Sequence, residues 1–96
     1  MKKYIVTGAA QGIGFQVVKD LLALGNYVLL NDVDASELNA ASEALNQQGY
    51  LHFSTICSDA ASESFLDELD LQISQTPGQL TGVVCNAGIT TFGDFW

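Results

Sequence analysis

Tyr4-Ile5-Val6-Thr7-Gly8-Ala9-Ala10-Gln11-Gly12-Ile13-Gly14 decides how this chain folds. The apolar run Tyr4-Ile5-Val6 stops at Thr7-Gly8 and gives way at once to a helical pattern. Strand, glycine turn and helix start in immediate succession are the layout of a dinucleotide-binding crossover. The reason lies in the backbone. Gly8 lets the chain leave the strand sharply, through positive φ where the turn requires it. Gly12 and Gly14 carry no Cβ, so a pyrophosphate can approach the first helical turn while the helix lies close to the strands. The unpaired N–H groups and positive dipole end at that helix start favour phosphate. The spacing is Gly8-x-x-x-Gly12-x-Gly14; the general G-x-G-x-x-G places its third glycine where this chain has Val17.

The helix after the turn is expected from Gly12 to Leu24. Ile13, Val17, Leu21 and Leu24 form one stripe, widened by Val18 and Leu22, with Lys19 and Asp20 on the other side. Gly25-Asn26 stops it. Tyr27-Val28-Leu29-Leu30 is a continuous apolar run, as in a strand covered on both faces. It ends in Asn31-Asp32-Val33-Asp34. Asp32 stands about 20 residues past the turn, where a dinucleotide fold places the acid that accepts from ribose hydroxyls. The competing role, a helix-capping carboxylate, suits Asp34 better, because Asp34-Ala-Ser-Glu37 is an acidic capping box.

The second helix, Ala35 to Gln48, turns Leu38, Ala41 and Leu45 inward and stops at Gly49. Tyr50 to Cys57 alternates, with Leu51, Phe53 and Cys57 on one side and His52 and Ser54 on the other, which suits an edge strand. His52 reads as a solvated edge residue, since no second ligand accompanies it. Capping the next helix is one role open to Asp59 in Ser58-Asp59-Ala60-Ala61; that helix, Ser62 to Gln75, buries Phe65, Leu66, Leu69 and Ile73. The acids of that helix scatter around a solvated face. Thr76-Pro77-Gly78 is a turn. Leu80 to Cys85 is the fourth strand, without charge, proline or a bulge to guard its edge, and Asn86-Ala87-Gly88 lets a ligand approach its carboxyl end. Ile89 to Trp96 reads as loop. The whole predicts an α/β fold: a parallel sheet of order 3-2-1-4, right-handed crossovers, and helices on both faces.

Ninety-six residues make one domain at most. With 48% hydrophobic and 15% charged residues, buried strands are favoured over disorder. A net charge of −8, with three lysines and no arginine, argues against nucleic acid or an anionic membrane as partner. The phosphates of a dinucleotide must then be held by backbone dipoles. Cys57 and Cys85 lie in strands without Cys-x-x-Cys spacing and are expected as buried free thiols. Only three apolar residues separate Met1-Lys2-Lys3 from Thr7-Gly8, too few for a signal or membrane segment, so the cytoplasm is the default location.

Thr7-Gly8-Ala9-Ala10-Gln11-Gly12-Ile13-Gly14, with Asp32 after the second strand and Asn86-Ala87-Gly88 after the fourth, resembles the short-chain dehydrogenase/reductase family along essentially the whole chain. The resemblance implies a Rossmann-type fold and cofactor contacts at Gly8, Gln11, Gly12, Ile13 and Gly14. It adds Asp32 and Val33 at the ribose, Asp59 and Ala60 at the adenine, and Asn86, Ala87 and Gly88 along the fourth strand. In this family an aspartate at the Asp59 position accepts from the exocyclic amine, and the next N–H reaches the ring. The family usually has two asparagines before Ala-Gly; here Cys85 takes the first place.

Similar proteins transfer hydride between nicotinamide and a carbonyl or alcohol carbon, using Ser, Tyr and Lys with Tyr-x-x-x-Lys spacing. Four residues after Tyr4, Tyr27 and Tyr50 stand Gly8, Asn31 and Ser54, so no catalytic residue is assigned in this chain. Two readings follow. The chain is the cofactor-binding front of such an enzyme, cut before its catalytic half, with a small carbonyl or alcohol substrate and a homo-oligomeric full-length protein. Alternatively it is a non-catalytic NAD-binding module. In either case NAD is the expected cofactor over NADP, because Asp32 accepts from a free 2′-hydroxyl and repels a 2′-phosphate.

Overall fold

A computed structural model describes residues 1–86. The elements run β1 (Lys2–Thr7), α1 (Gly12–Ala23), β2 (Tyr27–Asp32), α2 (Ala35–Gln47), β3 (Phe53–Cys57), α3 (Glu63–Gln75) and β4 (Gln79–Cys85). The four strands form one parallel sheet in the order β3-β2-β1-β4, as the alternation of strands and helices predicts. Helices α1 and α2 cover one face, where Val18, Leu22, Leu38, Ala41 and Leu45 meet Val6, Val28 and Leu30. Helix α3 covers the other, with Leu69 and Ile73 against Ile5, Tyr27 and Leu29. Strand residues 28–30 are fully buried because both faces are covered.

Five expectations need correction. The inward stripe of α1 is Gly14, Val18 and Leu22, while Ile13 and Leu24 are 74% and 78% exposed. Gly14 sets that phase: only a residue without a side chain lets the helix lie against the turn. In α3, Leu66 points outward and Phe65 carries the burial. Strand β3 begins at Phe53; Leu51 precedes it and is exposed, and Ile56 is the buried position. Neither cysteine is a buried thiol: Cys57, ending β3, is exposed, and Cys85, ending β4 at the opposite edge of the sheet, is half-buried. Strand β4 is an edge, with Leu80 and Val83 41% and 48% exposed, but it is not unguarded. Its partners shift from Lys3–Leu80 to Tyr4–Gly82, so Thr81 is an extra residue, a bulge that bends the strand.

Lys3 is the least expected core residue. It is 1% exposed in central β1, and its Nζ donates to the Ile73 carbonyl at 2.6 Å, the Thr76 carbonyl at 3.0 Å and Thr76 Oγ1 at 2.9 Å. The ammonium thereby caps the carboxyl end of α3, where orphan carbonyls and the negative dipole end suit a cation.

Candidate functional site

The carboxyl ends of β1, β2 and β4 converge on the turn at residues 8–11. Gly8 and Gly12 hold φ of 60° and 56°, a region side chains resist. The two other glycine roles separate cleanly. A Cβ on Gly12 meets nothing within 4 Å, so that glycine faces open space at the helix start. A Cβ on Gly14 collides with the Gly8 carbonyl oxygen and comes within 2.8 Å of Asn86 Nδ2, so Gly14 serves close packing of helix on turn.

Backbone and side-chain groups of the neighbouring strands lock this turn. The Ala9 N–H donates to the Asn31 carbonyl at 2.9 Å, and the Ala10 N–H to Asp32 Oδ2 at 3.1 Å. Asp32 Oδ1 accepts from the Asp34 N–H at 3.1 Å. From β4, Asn86 Nδ2 donates to the Gly8 carbonyl at 3.1 Å, and the Asn86 N–H donates to Thr7 Oγ1 at 3.0 Å. Gly8, Gly12, Gly14, Asp32 and Asn86 are thus brought together. Gln11, Gly12 and Ile13 are exposed around the helix start, and Val33 is exposed just after β2. Ala87 and Gly88 lie outside the described residues.

The three helix starts differ in a way that matters. Asp34 caps α2 by accepting from the Glu37 N–H at 3.1 Å, as the capping box predicts. The Glu37 N–H, then the Ser36 hydroxyl, hold the Asp34 carboxyl below its ordinary range. Helix α3 is capped by Ser62, whose Oγ accepts from the Phe65 N–H at 3.2 Å. Each of these helices also has an acid in its first turn. Helix α1 has neither: Gln11 makes no side-chain cap, and no acid stands in the first turn. In a chain of net charge −8, that leaves one helix start among the described residues suited to an anion.

Asp59 is not the cap of α3. It forms a tighter turn of its own, Oδ1 accepting from the Ala61 N–H at 2.9 Å, while its carbonyl accepts from Ser62 Oγ at 2.7 Å. It is exposed beside a half-buried Ala60. Sequence reasoning missed two positions that shape the site. Thr7 Oγ1 joins β1 to β4, and Asn31, 1% exposed, donates to the Ile56 and Ser58 carbonyls. A polar residue closing a fully apolar run was the available sign for Asn31.

The three lysines do not serve this turn. Lys3 caps α3, Lys2 begins β1 at the far end of the sheet, and Lys19 lies over the Phe15 ring at 5.1 Å. Among the described residues no three His, Cys, Asp or Glu side chains cluster to hold a metal, and no helix is long and apolar enough to cross a membrane. The uncapped helix start, the open Gly12 and the half-buried Asp32 fit the phosphates and ribose of a dinucleotide.

Known proteins resemble this chain along most of its length. A short-chain dehydrogenase/reductase of Armillaria gallica is 35% identical over 97 residues, covering 96% of this chain and 36% of the relative. A hydroxysteroid dehydrogenase structure from Escherichia coli matches with a TM-score of 0.78 at 32% identity, over 91% of this chain and 37% of that one. L-Sorbose reductase from Gluconobacter frateurii, solved in complex with NADPH and L-sorbose, shares the fold with a TM-score of 0.80 at 22% identity, over 91% of this chain and 33% of its own. The chain therefore spans about a third of the length of the curated relatives it matches. A sequence model of the short chain dehydrogenase family aligns from residue 2 to residue 96, through every strand that carries the turn, and this chain belongs to that family.

Proposed function

We propose that this chain is the NAD-binding portion of an oxidoreductase that moves hydride between nicotinamide and a small carbonyl or alcohol substrate. The uncapped, acid-free start of α1 beside Gly12 is the observation that carries the reading. The backbone N–H groups of residues 12–14 face the pyrophosphate, and Gly12 leaves room for it. Asp32, held on the turn by Ala10, accepts from the adenosine ribose hydroxyls. Asp59 and Ala60 border the adenine, and Asn86 with Ala87 and Gly88 borders the cofactor along β4. Ile13 and Val33 supply apolar contact. When bound, the nicotinamide ring gives or takes the hydride.

This chain's contribution is binding and orientation. The sequence holds no Tyr-x-x-x-Lys, so proton transfer falls to residues outside these 96, and the chain alone is inactive. NAD is preferred over NADP: no arginine exists here and no lysine stands beside Asp32 to neutralise a 2′-phosphate.

Fluorescence titration of the full-length protein with NADH tests this reading. Saturable binding is expected, and Gly12→Asp should weaken it at least tenfold. Aspartate tolerates the positive φ there but sets a carboxylate at the phosphate position. Absent binding, or equal binding by the variant, would refute the reading.

A further inference from the structure

A buried polar side chain is costly unless its hydrogen bonds are made. Both donations of the Asn31 side-chain amide go to β3 and the residue that follows it. Its Nδ2 reaches the Ile56 carbonyl at 3.0 Å and the Ser58 carbonyl at 2.9 Å. Ile56 faces Asn31 in the β2–β3 ladder, which ends one pair later at Asp32–Cys57. Ser58 lies beyond that ladder. Its N–H still donates to the Asp32 carbonyl at 3.2 Å, but its own carbonyl is held by the Asn31 amide. Ser58 Oγ is buried without a partner among the described residues, so the serine side chain adds nothing to the attachment. Asp59 and Ala60 follow directly. On its other side, the Asn31 carbonyl accepts from the Ala9 N–H at 2.9 Å, inside the glycine turn.

One residue therefore spans from the phosphate turn to the segment that leaves β3. Resting on the dinucleotide reading above, we propose that Asn31 is a positioning residue for the adenosine half of the cofactor. It touches no ligand. Its amide fixes how far the Ser58–Ala60 segment stands from the turn at Ala9, and so the width of the space that adenine and ribose must fill. The neighbouring Asp32 keeps its own hold on Ala10 when the Asn31 amide is lost. The loss should therefore fall on adenosine contacts and spare phosphate contacts.

The test compares full-length wild type with Asn31→Leu, which keeps the approximate volume without donors, and Leu45→Ala, a cavity in the α2 core remote from the turn. ADP-ribose and inorganic pyrophosphate are titrated below the melting temperature of every variant, and amide hydrogen exchange is followed. Asn31→Leu should weaken ADP-ribose at least tenfold, leave pyrophosphate within twofold, and speed exchange at Asp59–Ala61 more than at Ala9–Ala10. Leu45→Ala should lower the melting temperature yet leave ADP-ribose within twofold. If Asn31→Leu does not fold, Asn31→Ser, too short to reach Ser58, reads the same quantities. ADP-ribose binding unchanged in the Asn31 variant, or weakened equally by Leu45→Ala, overturns the inference alone. Wild type that binds neither NADH nor ADP-ribose overturns the dinucleotide reading, and this inference with it.

Discussion

The Ala10 N–H donates to Oδ2 of Asp32 at 3.1 Å, which makes the carboxylate at the end of β2 a part of the turn at the end of β1. The other carboxylate oxygen accepts from the Asp34 N–H at 3.1 Å, so the group is oriented from two sides. A ribose hydroxyl can donate to the acceptor capacity that remains. A 2′-phosphate cannot.

The proposed preference for NAD rests on that geometry. A phosphate charge ~4 Å from the carboxylate meets a repulsion of about 4 kcal/mol at an effective dielectric near 20, before salt screening. NAD should bind full-length protein more tightly than NADP. Asp32→Ala should raise the NADP-to-NAD affinity ratio by about tenfold or more, a fraction of that repulsion. Titration of both dinucleotides checks this; tighter NADP binding by wild type sinks the preference.

Gly14 and Gly12 should respond differently to one added methyl group. At Gly14 the obstacle is the Gly8 backbone carbonyl, which cannot swing aside. Gly14→Ala should cost roughly 1–3 kcal/mol through overpacking of helix on turn. At Gly12 there is open space, and the cost is the strain of φ +56°, on the order of 1–2 kcal/mol, together with weaker dinucleotide binding. Urea melts and titrations of both variants separate the effects. Gly14→Ala melting like wild type contradicts the packing role.

Asp34 gives the fold an acid-sensitive element. Its folded-state carboxyl lies below the ordinary 3.8, owing first to the Glu37 N–H and then to the Ser36 hydroxyl. The cap's contribution is therefore fully present above about pH 3.8 and fades as pH falls through the lower folded-state value. Asp34→Ala should lower the melting temperature at pH 7, and the gap from wild type should narrow in strong acid. A gap that stays constant between pH 7 and pH 2 contradicts the assignment.

The exposed edge of β4 bears on the isolated chain. Leu80 and Val83 are 41% and 48% exposed, and Leu66 on α3 is 56% exposed. The Thr81 bulge bends the amino end of β4, leaving residues 82–85 in regular register with β1 and, among the described residues, without a strand on the other side. The 96-residue chain alone should be marginally stable and self-associate through this edge. Light scattering and melts at several concentrations check it. A monomer with a cooperative, concentration-independent melt favours a finished, non-catalytic module instead.

Strand order, helix number and the glycine turn could be read directly because each rests on local chemistry. Continuous apolar runs mark strands covered on both faces, and Asp34 caps the helix that follows it. What escaped depends on partners distant in sequence. The phase of α1 is set by Gly14 against the Gly8 carbonyl and Asn86, 78 residues from Gly8. Lys3 is buried because the end of α3, 70 residues on, needs a cation. The spacing leaves a capping role open to Asp59, yet Ser62 lies three residues closer to the helix and takes the Phe65 N–H. The role of Asn31 is not legible in the sequence, since its acceptors, Ile56 and Ser58, belong to a segment whose register no local pattern reveals.

The central claim is that the α1 start holds the pyrophosphate of a dinucleotide. Amide chemical shifts of ¹⁵N-labelled full-length protein during titration with NAD test it most directly. Saturable shifts are expected at Gly8, Gly12, Ile13 and Gly14, with smaller ones at Asp32 and Val33, and the glycine shifts reproduced by pyrophosphate alone. Saturation with NAD that leaves the Gly12–Gly14 amides unmoved would contradict it.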